Sequence, residues 1–142
     1  TLTVEANLEM GAVIRNDDYS KELERAYELF RAIHENRGHP AGDLSGGQQQ
    51  QLTIGRALAM KPRIMLLDEP TEGIQPNIVQ QIEQVLKQLN REMGLTIILV
   101  EQNTRFVREV ADEFLLIEKG RVSLRGPGEA LTGEVVEKYL SI

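Results

Sequence analysis

Ile64-Met65-Leu66-Leu67-Asp68-Glu69-Pro70 is the stretch whose reading decides the fold. Four apolar residues in an unbroken run mark a strand covered on both faces. Two acids at its end put carboxylates at the C-terminal edge of a parallel sheet, where open α/β sheets bind their ligands. One acid can help hold Mg²⁺ through its water shell, and the next can polarise a water. A strand followed by a solvated acidic turn accounts for an isolated Asp-Glu pair as well, so the stretch is read with its neighbours.

Downstream the pattern repeats. Pro76 opens a helix with Ile78, Ile82, Val85, Leu86 and Leu89 on one face, and Gly94 ends it. Thr96 to Val100 reads as a second buried strand, followed by a short helix with Phe106, Val107 and Val110 inward. Phe114 to Ile117 is a third strand, which Gly120 turns into a hairpin with Val122 and Leu124. Residues 129–140 read as helical, with an interruption near Gly133. Strand, helix, strand, helix, strand implies an α/β fold with a parallel sheet.

Upstream the chain is helical only. Val4, Leu8 and Ala12 fall at helical spacing, and Asn16, Asp17 and Asp18 form a loop with a capping signal. One helix is expected from Tyr19 to Asn36 with Leu23, Ala26, Phe30 and Ile33 inward, until Gly38, Pro40 and Gly42 break it. Ser45 is the expected N-cap of a further helix that runs to about Met60 and buries Leu52, Ala57 and Leu58. Residues 1–60 therefore form a helical part and residues 61–142 the sheet-bearing part.

Composition narrows the function. With 41% hydrophobic and 27% charged residues the chain fits a globular protein. A formal net charge of -6 argues against general nucleic-acid binding, which needs clustered Lys and Arg. The absence of cysteine excludes disulfides and thiolate metal sites. No apolar run approaches the roughly 20 residues that span a bilayer. The opening Thr-Leu-Thr-Val-Glu is no signal peptide and lacks a starting methionine, so the chain reads as a fragment.

Leu44-Ser45-Gly46-Gly47-Gln48 supplies the second motif. Two glycines after a capping serine let backbone approach a ligand and start a helix at once. Its free N–H groups and positive dipole end make an anion site. An ordinary Ser-capped helix explains Ser-Gly-Gly taken alone. The two motifs together change the reading. Leu-Ser-Gly-Gly-Gln, then Gly55-Arg56-Ala57-Leu58, then Pro62, then Leu-Leu-Asp-Glu-Pro-Thr resembles the ABC ATPase family, in order and in spacing.

That resemblance implies the C-terminal part of a P-loop NTPase core preceded by a helical subdomain that touches membrane subunits. It implies Asp68 as the Walker B aspartate supporting Mg²⁺, and Glu69 as the general base for the attacking water. Ser45, Gly46, Gly47 and Gln48 become the signature loop, which in the family reaches across a head-to-tail dimer to the γ-phosphate held by a second ATP-binding subunit. Glu72-Gly73-Ile74-Gln75 matches the D-loop, with Gln75 in place of the usual aspartate. Glu101-Gln102-Asn103 puts Gln102 where the family usually has a switch histidine. A glutamine there can hydrogen-bond a phosphate oxygen but cannot carry a proton. His34 and His39 lie elsewhere and read as solvated.

Glu-Pro-Thr-Glu-Gly-Ile-Gln-Pro with Val-Glu-Gln-Asn resembles importer subunits for branched-chain amino acids, urea and short amides, the Gly-Ile-Gln-Pro version being most like the urea-transporting members. No Gly-x-x-x-x-Gly-Lys-Ser/Thr occurs in the sequence, so the Walker A half is missing and ATP with Mg²⁺ lacks its phosphate cradle. The expectation is a fragment, inactive alone, of an ATPase that works on the cytoplasmic face of the membrane with permease subunits. A naturally Walker-A-less regulatory module is the rival, and an ABC ATPase of the DNA-repair or translation type a third reading. The gap left by the missing strand predicts that the fragment self-associates.

Overall fold

A computed structural model describes residues 2–13 and 18–139 of the chain. Of the expected loop at Asn16, Asp17 and Asp18, only Asp18 lies within the described residues, and Leu140 lies outside them as well. The chain folds as two compact units, residues 1–66 with 72–98, and residues 67–71 with 99–142.

The first unit is built on helices α1 (Val4–Val13), α2 (Ser20–Leu29), α3 (Arg31–Glu35) and α4 (Gly46–Ala59). Val4, Leu8 and Ala12 are fully buried, as their spacing predicts. They converge with Ala26 and Phe30 on α4, where a Cβ added to Gly55 would stand 3.1 Å from Leu8 and 3.5 Å from Ala26. The single helix expected over 19–36 is divided. Phe30, at φ -128 and ψ 80, caps α2 by donating its N–H to the Ala26 carbonyl, and its own carbonyl accepts from Ile33 at 2.9 Å to start α3. No proline or glycine causes the break. Phe30 is 2% exposed, and its packing overrides local helix propensity. Asp18 accepts from the Ser20 N–H at 3.0 Å and from its hydroxyl at 2.7 Å. These bonds from Ser20 hold the Asp18 carboxyl below its usual range.

Strand β1 (Ile64–Asp68) is followed by α5 (Pro76–Met93) and β2 (Thr96–Val100). Pro76 occupies the first turn of α5, and Gly94 takes the left-handed conformation, φ 63, that closes it. Thr96 donates to the Arg63 carbonyl at 3.3 Å, and Glu69 donates to the Val100 carbonyl at 2.8 Å, so both strands advance in the same direction. The expectation of strands covered on both faces fails. Met65 and Leu67 are buried, but Ile64 and Leu66 are 57% and 72% exposed, and Ile98 and Val100 are 52% and 57% exposed. Among the described residues each strand is covered on one face only.

The remainder of the second unit holds α6 (Thr104–Val110), strands β3 (Glu113–Glu118) and β4 (Arg121–Pro127), and α7 (Gly133–Tyr139). The hairpin is as expected. Lys119 and Gly120, at φ 49 and 75, form a two-residue turn whose twist suits paired strands. The third strand does not extend the parallel sheet. Within the described residues β3 pairs only with β4, and β1 pairs only with β2. Phe114, Leu116 and Leu131 form the unit's core under Val107, Leu124 and Val136.

Gly11 marks the close approach of α1 to α4, because a Cβ there would stand 2.4 Å from the Arg56 carbonyl oxygen. Gly11→Ala must push α1 off α4 and should cost about 1–3 kcal/mol. Gly42→Ala, with nothing within 4 Å of its Cβ, is the control. Urea unfolding of both variants measures the difference, and equal midpoints would remove the close approach from the account.

Candidate functional site

The C-terminal ends of β1 and β2 carry the acids that the sequence singles out. Asp68 is the last residue of β1, with an exposed side chain that makes no hydrogen bond to the described residues. Glu69 follows at φ 44, the left-handed region that costs a non-glycine residue of order 1–3 kcal/mol. Pro70 behind it is fully buried, and Thr71 is 8% exposed. Across the edge, Gln102 donates its side-chain N–H to Glu69 Oε1. The structure thus brings Glu69 and Gln102 together, leaving Glu69 Oε2 and the Gln102 carbonyl for other partners.

Glu101 is a residue that the sequence reading passed over. Its Oε1 accepts from the Thr71 N–H at 3.1 Å and from the Thr71 hydroxyl, and its Oε2 accepts from the Asn103 N–H at 3.0 Å. Asn103 in turn caps α6 through Phe106 at 3.1 Å. The available signal was positional: Glu101 follows an apolar strand just as Asp68 and Glu69 do, and a parallel pair ends both strands at one edge.

Ser45, Gly46, Gly47 and Gln48 lie in the first unit at the start of α4. Ser45 and Gln48 form a capping box: the Gln48 N–H donates to Ser45 Oγ at 3.4 Å, and the Ser45 N–H donates to Gln48 Oε1 at 3.0 Å. Two further glutamines of the run are hydrogen-bonded. Gln49 donates to the Leu44 carbonyl at 3.1 Å, and buried Gln51 donates to Gln81 Oε1 at 2.8 Å. The two glycines differ. Gly46 has open space where a Cβ would stand, whereas at Gly47 a Cβ would meet Ile78 at 3.0 Å and Ile74 at 3.4 Å. The Glu72-Gly73-Ile74-Gln75 segment therefore packs on the signature turn through Ile74. His34 and His39 are both exposed, and His34 lies against the Tyr27 ring at 4.9 Å between centroids.

Mg²⁺ ordinarily takes one or two protein carboxylates and completes its shell with phosphates and water. The described residues hold no cluster of three or more His, Cys, Asp or Glu fit for a metal, and Asp68 is a donor of the sparse kind that Mg²⁺ uses. No helix of the described residues is long and apolar enough to cross a membrane.

These features define a nucleotide-binding-cassette type of chain, and the sequence match agrees. The family model for ABC transporters matches residues 1–72, and the chain belongs to that family. It is 46% identical over 131 residues to the high-affinity branched-chain amino acid transport ATP-binding protein BraG of Pseudomonas aeruginosa, a match covering 92% of this chain and 56% of the relative. It is 37% identical over 125 residues to the probable amino-acid ABC transporter ATP-binding protein y4tH of Sinorhizobium fredii, covering 88% of this chain and 48% of the relative. The chain thus spans about half the length of the curated relatives it matches. It superposes with TM-score 0.78 and 29% identity on the dimeric post-hydrolysis state of an ATP-binding cassette bound to ADP and Pi, covering 93% of this chain and 58% of that one.

The glycines give a test of the signature turn. Gly46→Ala should leave stability unchanged or raise it by up to about 1 kcal/mol, because alanine favours helix and finds open space. Gly47→Ala should lower it, because Ile78 must give way. Thermal unfolding compares the two, and an equal loss in both would contradict this packing.

Proposed function

We propose that the chain is part of the ATP-hydrolysing subunit of an ABC importer for a small nitrogen-containing solute. The observation that carries this reading is the bond from Gln102 to the Glu69 carboxylate at the shared end of β1 and β2. An ionised carboxylate only accepts hydrogen bonds, so the glutamine amide orients Glu69 and leaves Oε2 free to take a proton from water. Glu69 is then the general base and Gln102 its positioning partner. Asp68 would hold Mg²⁺, which when bound neutralises charge on the phosphates. Ser45, Gly46, Gly47 and Gln48 would present the α4 N-terminus to the γ-phosphate held by a second ATP-binding subunit. A phosphate-cradling loop is absent from this sequence, so tight ATP binding needs residues beyond it.

Permease subunits at the cytoplasmic face of the membrane complete the assembly in this reading, with residues 1–60 as the helical subdomain that meets them and 61–142 as the sheet part. The transport function in BraG's name supports the amino-acid end of the solute range. Urea rests on Gly73-Ile74-Gln75-Pro76 alone.

In the full-length subunit, Glu69→Gln should keep ATP binding, slow hydrolysis by about 10²–10⁴-fold and accumulate an ATP-bound dimer. Gln102→His, which can still donate, should turn over faster than Gln102→Ala. Steady-state ATPase rates with nucleotide-binding titrations decide, and wild-type turnover in Glu69→Gln would sink the assignment.

The same proposal extends to the 142-residue chain studied by itself. Exposed Ile64, Leu66 and Ile98 in one unit, and exposed Leu115, Ile117 and Val122 in the other, are apolar strand faces of the kind that associate. Light scattering should give a dimer or larger, and a monomer at high concentration would contradict it.

A further inference from the structure

The hydrolytic pair hangs on the turn Glu69-Pro70-Thr71 and on the loop Glu101-Gln102-Asn103. Backbone bonds at these positions are few: the Glu69 N–H on the Val100 carbonyl, and the Val107 N–H on the Asn103 carbonyl at the head of α6. Glu69 is in addition in the left-handed conformation, which relaxes unless its surroundings hold it. One carboxylate bridges the two segments. Glu101 takes both donors of Thr71 on Oε1 and the Asn103 N–H on Oε2, so it grips the residue two after Glu69 and the residue one after Gln102. Hydrogen bonds to an ionised acceptor are about twice as strong as neutral ones. Thr71 is nearly buried, so its N–H and hydroxyl have little access to water as a substitute partner.

We infer that Glu101 is the positioning residue of this site: its carboxylate clamps the Glu69 turn to the Gln102 loop and so sets the reach from Gln102 to Glu69. This rests on the ATPase reading above, and it assigns Glu101 no contact with nucleotide. The clamp's bonds go to Thr71 and Asn103 and none goes to Glu69 or Gln102 themselves. Its loss therefore should change turnover and leave ATP affinity intact. A misplacement of about 1 Å at a reacting group costs about 10²-fold in rate.

The test is made in the full-length subunit. Glu101→Ala should lower kcat about 100-fold with the ATP Kd unchanged within about twofold. Glu101→Gln retains an acceptor for Thr71 but sets an NH₂ donor against the Asn103 N–H, and should fall between Ala and wild type. Thr71→Val combined with Glu101→Ala should be no worse than Glu101→Ala alone, because the Thr71 hydroxyl has already lost its acceptor. Amide exchange at Thr71 and Asn103 reads the clamp without any activity, and it should quicken at both positions in Glu101→Ala. Wild-type kcat in both Glu101 variants, or a Kd that rises in step with the loss of kcat, would overturn the inference. Unchanged exchange at both amides would do the same. Should Glu101→Ala fail to fold, Glu101→Gln decides alone by its kcat. A wild-type subunit that does not hydrolyse ATP, yet shows the quickened exchange in Glu101→Ala, would overturn the ATPase reading and leave the clamp standing as structure.

Discussion

The parallel pairing of β1 with β2 is the constraint from which the site follows. Parallel strands end at the same edge, so whatever follows each of them is delivered to one place. Here the residues after β1 are Glu69, Pro70 and Thr71, and those after β2 are Glu101, Gln102 and Asn103. The Glu69 N–H on the Val100 carbonyl, 2.8 Å, is the last backbone bond of the pairing and the first bond of the site. The 18-residue crossover α5 makes this geometry possible, and its ends are set by residues with fixed backbone preferences: proline at the start and a left-handed glycine at the finish.

Three acids sit within this edge, and their surroundings divide them. Asp68 is exposed and has no hydrogen bond to the described residues, so both its oxygens are available to an ion. Glu69 shares one oxygen with Gln102 and keeps the other. Glu101 has both oxygens occupied by N–H and O–H donors of its own chain. An acid with both oxygens bound to donors of its own chain is committed to structure, whereas an acid with a spare oxygen can do chemistry. The hydrogen-bond inventory, more than position along the strand, separates the three.

Much of this was legible in the sequence because it depends on local rules. The apolar run before Asp68, the proline at the head of α5, the Ser45 cap and the Gly120 turn each follow from backbone preferences that act within a few residues. What was not legible depends on distant packing. Nothing near Phe30 announces a helix break, because the break is made by the burial of its ring among α1, α2 and α4. The continuous apolar runs of β1 and β2 implied cover on both faces, but the described residues supply it on one, leaving Leu66 at 72% exposure. Glu101 escaped because its partner Thr71 lies 30 residues away in the sequence, and no spacing rule reaches that far.

The turn at the head of α4 leaves backbone donors without intrahelical acceptors. The first N–H groups of any α-helix lack intrahelical acceptors, and a capping side chain normally satisfies one or two of them. At α4 the capping box uses the N–H groups of Ser45 and Gln48, the outer two of the turn. The N–H groups of Gly46 and Gly47, between them, have no hydrogen-bond partner among the described residues. Gly47 lacks a side chain because Ile78 needs the room, which is a packing reason. Gly46 meets nothing within 4 Å, so packing gives no reason for its bare backbone. Packing thus accounts for one glycine of the pair and leaves open space at the other, at the head of α4.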